Sequence, residues 1–233
     1  FAVFFFGFCY GGNDFINGTK RYCLWLSNAK PAELRAMPKV LELLDRVKKF
    51  RLESKSSQKF AVTPWLFRET TIPEKYLLIP KTSSERRAFF HLGFVEHVVT
   101  TNSALYLDSS SSYHFGMLCS TMHNAWMRTV AGRLKSDYRY SAKLVYNNFP
   151  WPTPTDAQRS AIETAAQGVL DARACPPISA LADLYKGANS DAERVAFLFG
   201  LYQDLIGALA KATESNPKPK RARSTRSRPT SEH

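Results

Sequence analysis

Residues 120–141 read STMHNAWMRTVAGRLKSDYRYS, and this stretch carries most of the information on fold and site. In it, and in the residues just before it, apolar side chains recur at the three- and four-residue spacing of one helix face. The spacing predicts a single long amphipathic helix from Tyr113 to about Lys135. Its apolar face would consist of Phe115, Leu118, Met122, Trp126, Val130 and Leu134.

The same stretch concentrates positive charge beside aromatic and hydrogen-bonding side chains. Five cations fall within sixteen residues, namely Arg128, Arg133, Lys135, Arg139 and Lys143. Tyrosines and amide or hydroxyl groups between them complete a mixture that suits contacts to phosphates and base edges. A helix whose basic face is merely solvated gives the same pattern, and charge alone does not separate these two interpretations.

Upstream, short apolar runs indicate strands. The runs KFAV, KYLLIP, FVEHVVT and ALYL between Phe60 and Leu107 are separated by proline, glycine and asparagine, which predicts a compact sheet. Asn17-Gly18 between two apolar segments predicts a β-hairpin. Pro31 opens a helical pattern that Pro38 breaks or restarts.

Downstream, a short strand is expected at 143–146, and three prolines at 150–154 predict a domain boundary. Helices are predicted over 156–174, 179–186 and 191–212. The fold class is therefore α+β, in which a mixed β-sheet domain with the long amphipathic helix is followed by a small all-helical segment. The predicted divisions are residues 1–150, with 1–10 atypical, then 151–212, then a disordered basic tail over 213–233.

Composition limits the functions that are possible. The 233 residues are 44% hydrophobic, which excludes wholesale disorder, and their formal charge of +12 favours anionic partners. No apolar run is long enough to cross a bilayer, and four scattered cysteines fit a reducing cytosol. Because the chain begins with Phe1, we expect it to be a piece of a longer protein.

Motifs for catalysis and cofactor binding are missing from the sequence. It has no glycine-rich dinucleotide loop, no P-loop and no nucleophile elbow. His91 and His97 share a face of a predicted strand, but no third ligand lies near them. We therefore expect no catalytic residue, no bound cofactor and no metal site in this chain.

Ordered blocks over about 170 residues resemble the C-terminal target-recognition region of the large class I adenine-specific DNA methyltransferases of the MmeI-like group. These blocks include Gly-Asn-Asp-Phe at 12–15, Arg-Tyr-Cys-Leu-Trp-Leu at 21–26, Ser-Ser-Glu-Arg-Arg at 83–87, Met-His at 122–123, Gly-Arg-Leu-Lys-Ser-Asp-Tyr-Arg-Tyr-Ser at 132–141, Tyr-Asn-Asn-Phe-Pro-Trp-Pro at 146–152, Leu-Asp-Ala-Arg at 170–173 and Leu-Ala-Asp-Leu-Tyr at 181–185.

The resemblance implies sequence-specific recognition of double-stranded DNA within a restriction–modification system in the bacterial cytoplasm. The parent protein would be an S-adenosylmethionine-dependent adenine-N6 methyltransferase, and its upstream methyltransferase core would be the other partner. A membrane or a metal is not expected among the partners. A non-catalytic basic nucleic-acid-binding or adaptor protein without sequence specificity is the alternative.

The predicted DNA contacts combine forked arginines with amide and phenol groups. They are Arg86, Arg87, Asn124, Arg128, Arg133, Lys135, Tyr138, Arg139, Asn147 and Asn148. Residues 96–113 are expected to determine which DNA sequence is preferred, because they are variable polar types on predicted loops and strand ends.

Overall fold

A computed structural model describes residues 6–174 and 180–181 of the chain. The strands are β1 (Phe6–Tyr10), β2 (Tyr22–Leu24), β3 (Lys75–Pro80), β4 (Thr82–Ser83), β5 (Gly93–Glu96), β6 (Val98–Thr100), β7 (Ala104–Asp108), β8 (Gly132–Leu134) and β9 (Asp137–Arg139). The helices are α1 (Gly12–Asn17), α2 (Pro31–Arg35), α3 (Pro38–Glu53), α4 (Ser112–Cys119), α5 (Thr121–Val130) and α6 (Asp156–Ala174). The α+β class is confirmed.

The strands form three small sheets of three strands each in the described residues. The first, in the order β2-β1-β6, is mixed, because β1 runs antiparallel to β2 and parallel to β6. The second, β5-β3-β7, is antiparallel, and its central strand is buried from Tyr76 to Pro80. The third, β4-β9-β8, is also antiparallel and carries three of the ten predicted DNA contacts, Arg133, Tyr138 and Arg139, with Lys135 at its turn.

The main hydrophobic core joins β3, α4 and α6. Phe115 and Leu118 on α4 are fully buried together with Ile162 and Val169 on α6. On the surface of the same interface, the Arg159 guanidinium lies 4.3 Å from the Tyr113 ring centroid. Helix α6 therefore packs on the same core as the residues before 150, while the predicted domain boundary at that point stays a prediction.

The predicted hairpin at Asn17-Gly18 is wrong. Gly12–Asn17 is a helix, α1, whose first turn is closed by the Asp14 carboxylate accepting the Gly11 amide at 2.8 Å. Gly18 ends the helix in the left-handed region at φ 65°. An Asn-Gly pair serves a helix C-terminus as well as a hairpin, because both need a residue with positive φ.

The predicted helix over 113–135 is divided at Ser120. This residue has extended backbone, with φ −64° and ψ 155°, and its hydroxyl accepts the His123 amide as the N-cap of α5. One non-helical residue changes the phase of the following helix. As a result α5 buries His123, Asn124 and Met127, whereas Met122 is 39% exposed.

Two further local predictions are wrong. Residues 143–146, expected as a strand, lie in a π-helical turn, Ala142–Tyr146, and the KFAV run begins in a 3₁₀ turn at Gln58–Phe60 and does not form a strand. The helical stretch restarted at Pro38 is confirmed, as are the KYLLIP and ALYL strands and the helix over 156–174.

The predicted helix over 191–212 and the basic tail over 213–233 lie outside the described residues, as does nearly all of the one predicted at 179–186. In the described part of the chain, each helix is too short or too polar to span a bilayer.

Candidate nucleic-acid interface

Three of the predicted contacts are exposed on the third sheet and its turn. Strands β8 and β9 form a hairpin, residues 132–139, which we call the basic hairpin; it pairs Arg133 with Tyr138. Arg133, Lys135 and Arg139 are exposed, whereas Tyr138 is 7% exposed and faces the core. Lys135 lies at the turn with φ 56°, in the left-handed region. The alternation along β9 points Tyr138 and Arg139 to opposite faces, whereas Arg133, the cross-strand partner of Tyr138, lies on the Tyr138 face.

Tyr138 supports two guanidinium groups. The Arg133 guanidinium lies 3.8 Å from the ring centroid, and the Arg128 guanidinium from helix α5 lies 5.3 Å from it. Arg133 also donates to the Ser136 carbonyl at 2.7 Å and approaches the Glu85 carboxylate at 3.8 Å. Because these contacts hold the Arg133 side chain while 47% of it stays exposed, its donors are pre-oriented toward solvent.

Residues 84–88, which we call the arginine loop, lie beside the basic hairpin. The loop follows β4 and begins with a turn in which the Arg87 amide donates to the Ser84 carbonyl at 3.2 Å. Arg86 is exposed and Arg87 is half-buried. With Arg133, Lys135 and Arg139, these two residues form a cluster of five cations on adjoining segments.

Two predicted contacts on α5 face the protein instead of solvent. Asn124 is 7% exposed, and its side-chain amide donates to the Ala88 carbonyl. Arg128 is half-buried and donates to the Arg87 carbonyl and, at 3.4 Å, to the Tyr138 hydroxyl. Both side chains are therefore engaged with the arginine loop and its support.

Asn147 and Asn148 lie on the far side of α5. The turn that carries them accepts a hydrogen bond from the Trp126 indole at the Val145 carbonyl, 3.0 Å away. Trp126 is two residues from both Asn124 and Arg128, so it projects about 200° around the helix from them. Asn148 donates to the Lys143 and Leu144 carbonyls at 3.2 and 3.3 Å, closing its own turn. The structure thus does not bring these two amides together with the arginine loop.

Lys81 joins the basic surface although the sequence analysis did not select it. The Lys81 ammonium donates to the Asn102 carbonyl at 2.6 Å, and the Lys81 carbonyl accepts a hydrogen bond from the Tyr140 amide at 2.7 Å. Burial, followed by the nearby charge of Arg139, lowers the pKa of Lys81. The available signal was its position between the buried strand β3 and β4, but one lysine after a proline is too common a pattern to single out.

Residues 96–113 are spread over several environments. Glu96 pairs with Lys75 at 2.7 Å on the exposed edge of the second sheet. The Ser103 hydroxyl accepts the Gly12 amide at 3.1 Å, which ties β7 to α1, whereas the Asn102 carbonyl holds Lys81. Their predicted part in sequence preference stays a prediction, as do the individual DNA contacts.

Among residues 6–174 and 180–181, no three His, Cys, Asp or Glu side chains are grouped as a metal ion would require.

Comparison with known proteins gives a consistent result. A family described as "MmeI, target recognition domain" matches residues 3–153. DNA methyltransferase A of Bacillus subtilis (strain 168) is 35% identical over 225 residues, which is 84% of this chain. The solved structure of the type IIL restriction–modification enzyme MmeI in complex with DNA is 43% identical, with a TM-score of 0.85 over 94% of this chain. The chain spans 26% of the length of the first protein and 29% of the second.

Proposed function

Because the chain belongs to the family of MmeI target recognition domains, we propose that it recognises a specific sequence in double-stranded DNA. The polypeptide it serves would be an S-adenosylmethionine-dependent adenine-N6 methyltransferase of a restriction–modification system. Residues 1–150 would form the recognition domain, residues 151–212 a helical segment and residues 213–233 a basic tail. The methyl donor and the reacting amine would be held by the upstream methyltransferase core, the second partner of this chain.

The observation that carries the proposal is the likeness to MmeI in complex with DNA, at 43% identity over nearly the whole chain. A fold alone does not imply a function, but identity at this level together with an arranged cationic surface supports a shared ligand. The curated Bacillus relative is a DNA methyltransferase, and this supports the proposed chemistry of the parent protein.

The surface supplies both kinds of contact that DNA recognition needs. Lys135 and Arg139 are exposed at the end and on the last strand of the basic hairpin, where they can neutralise phosphates. Arg133 and Arg86 carry forked guanidiniums, which match either a phosphate or the O6/N7 edge of guanine. The chain would dock on the duplex in one register, so that a target adenine can be flipped into the pocket of the parent protein.

Selection of duplexes from a random library by the complete 233-residue chain tests the recognition part. We expect enrichment of one short sequence, and tighter binding to it than to unrelated duplexes by at least about a thousandfold at one salt concentration. Uniform binding to all duplexes within a few-fold would establish the basic-adaptor alternative instead.

The chemistry of the parent is tested separately with the longer polypeptide that includes the upstream part. After incubation with S-adenosylmethionine and a duplex containing the selected sequence, the DNA is digested to nucleosides and analysed by mass spectrometry. We expect N6-methyladenine. Methylated cytosine in place of methylated adenine would contradict the proposed specificity while leaving the recognition role intact.

A further inference from the structure

We propose that Asn124 and Arg128 are positioning residues, which act on DNA only by fixing the arginine loop from behind. This inference rests on the proposed function. It assigns to α5 the task of orienting Arg86 and Arg87, and leaves direct contact to those two residues and to the basic hairpin.

The geometry of the bonds supports this assignment. Asn124 and Arg128 are four residues apart, on one face of α5, and they donate to two successive backbone carbonyls, those of Ala88 and Arg87. Two bonds to consecutive peptide groups restrict both the position and the rotation of the chain at that point. Fixing the backbone in this way also limits the directions in which the loop side chains can point, above all the exposed Arg86.

The rest of the loop is anchored independently. Just after it, Phe90 is fully buried and stacks on Tyr140, with ring centroids 4.9 Å apart and planes 8° from parallel. At its start, the Arg86 amide donates to the Ser84 hydroxyl at 3.4 Å. Between these two ends, the Arg87 and Ala88 carbonyls are both held by side chains of α5, so α5 sets the middle of the loop.

Arg128 has few donors left for a phosphate. One terminal nitrogen donates to the Arg87 carbonyl and the other to the Tyr138 hydroxyl, and the guanidinium also lies over the Tyr138 ring. A lysine keeps the charge but offers a single point of attachment, so it cannot join the carbonyl and the phenol as the fork does. Arg128→Lys therefore separates the effect of charge from the effect of geometry.

A double-mutant cycle with the complete chain tests the proposal. Its two changes are Arg128→Lys and the paired loop change Arg86→Ala with Arg87→Ala, and the readout is affinity for the selected duplex. If Arg128 acts through the loop, its substitution should cost about tenfold in affinity in the native loop and less than about twofold once the loop arginines are gone. Equal losses in both backgrounds would show an independent DNA contact and overturn the proposal.

Arg139→Ala is the matched control, because Arg139 is an exposed cation on β9, in the basic hairpin, and lies on neither the arginine loop nor α5. Its effect should add to that of the loop change. Amide hydrogen exchange of residues 84–88 without DNA gives a second readout, and we expect exchange about tenfold faster in Arg128→Lys and unchanged in Arg139→Ala. Unchanged exchange in Arg128→Lys would also overturn the proposal.

Circular dichroism confirms folding of each variant. If Arg128→Lys does not fold, Asn124→Ser takes its place in the cycle, since the shorter side chain loses the Ala88 carbonyl. If the unmodified chain fails to bind DNA, the proposed function fails, whereas the exchange measurement still decides whether α5 fixes the loop.

Discussion

Two regions of the molecule use the same device for opposite purposes. In the first, Arg51 on α3 donates to the carbonyls of Phe60, Thr63 and Leu66 at 2.8, 2.9 and 2.8 Å. It thereby fastens residues 58–67, the apolar loop. In the second, Arg128 and Asn124 on α5 fasten the arginine loop through two carbonyls.

The loops differ in what they present. In the apolar loop, Trp65 packs against a core formed by Leu26, Leu34 and Leu44, and an apolar groove of about 550 Å³ lies between this loop and α3. The arginine loop instead exposes Arg86 beside the cations of the basic hairpin. Since both regions have an arginine bonded to backbone carbonyls, this feature alone does not mark a binding site. The side chains that each loop exposes distinguish the two regions.

The largest expected effect tests whether DNA affinity depends on where the positive charges lie or only on their number. Arg133→Ala with Arg139→Ala should lower affinity for the selected duplex by about 1–2 kcal/mol for each residue, with the preferred sequence nearly unchanged. The matched control is Lys48→Ala with Lys49→Ala, which removes the same charge from the exposed face of α3. Fluorescence anisotropy at one salt concentration should show a change of less than about threefold for the control.

An equal loss in both pairs would mean that the basic surface has no local organisation. A purely structural role, in which Arg133 and Arg139 hold the fold together through ion pairs, predicts a lower melting temperature with unchanged affinity. Melting curves on the same variants distinguish the two.

The second prediction concerns acid stability, because the two regions differ in buried histidines. His91 and His123 lie in the core beneath the arginine loop, whereas residues 31–67 contain no histidine. Burial lowers the pKa of His123 to about 3. The folded state thus stays neutral where the unfolded chain takes up a proton, so stability is full above about pH 6.5 and is lost as pH falls toward 3.

Between pH 6.5 and 5 this one residue should cost about 2 kcal/mol of unfolding free energy. In His123→Gln the loss over that interval should be smaller by the same amount, whatever the variant's stability at pH 7. Urea unfolding at both pH values measures it. Parallel pH dependence in the two proteins would show that His123 titrates normally.

The third prediction concerns Arg51, which should contribute to stability and not to DNA binding. Arg51→Met removes three partly buried hydrogen bonds and should lower the unfolding free energy by about 1–2 kcal/mol. Affinity for DNA should change by less than about twofold, because none of the predicted DNA contacts lies on the loop that Arg51 fastens. A large loss of affinity in a well-folded variant would place the apolar loop in the interface.

The smallest effect concerns charge that belongs to neither region. Removing residues 216–233 takes away a run of lysines and arginines. Affinity should fall alike for all duplexes, and each lost phosphate contact should remove about 0.9 from the slope of log K against log salt. A changed sequence preference after truncation would show that the tail takes part in base recognition.

Periodicity predicted the elements that depend on local pattern. Proline at the first helical position placed the starts of α2 and α3, and the continuous apolar run of β3 reads as a buried strand from sequence alone. The break at Ser120 was missed because a serine hydroxyl bonds equally well inside a helix or at its N-cap, and apolar residues continue on both sides. Tertiary packing decides between these two roles.

The sequence predicted the residue types of the candidate site better than the orientation of its side chains. Clustered cations and the resemblance selected Arg86, Arg133, Lys135 and Arg139, all of which are exposed on the arginine loop or the adjoining basic hairpin. The inward orientation of Asn124 was not predictable, because its partner is a backbone carbonyl 36 residues away, which carries no sequence signal.

The parallel pairing of β1 with β6 has a consequence for how the chain folds during synthesis. Phe8 pairs with Val98, 90 residues later, whereas the strands of the second sheet lie within residues 75–108. Closing so long a loop costs more conformational entropy than pairing strands that are close in sequence, so the second sheet should form first. During synthesis, before residues of either sheet's last strand are available, one edge of β1 stays open until the ribosome has delivered residues 98–100, and in that interval the nascent chain exposes a strand edge capable of pairing with another molecule.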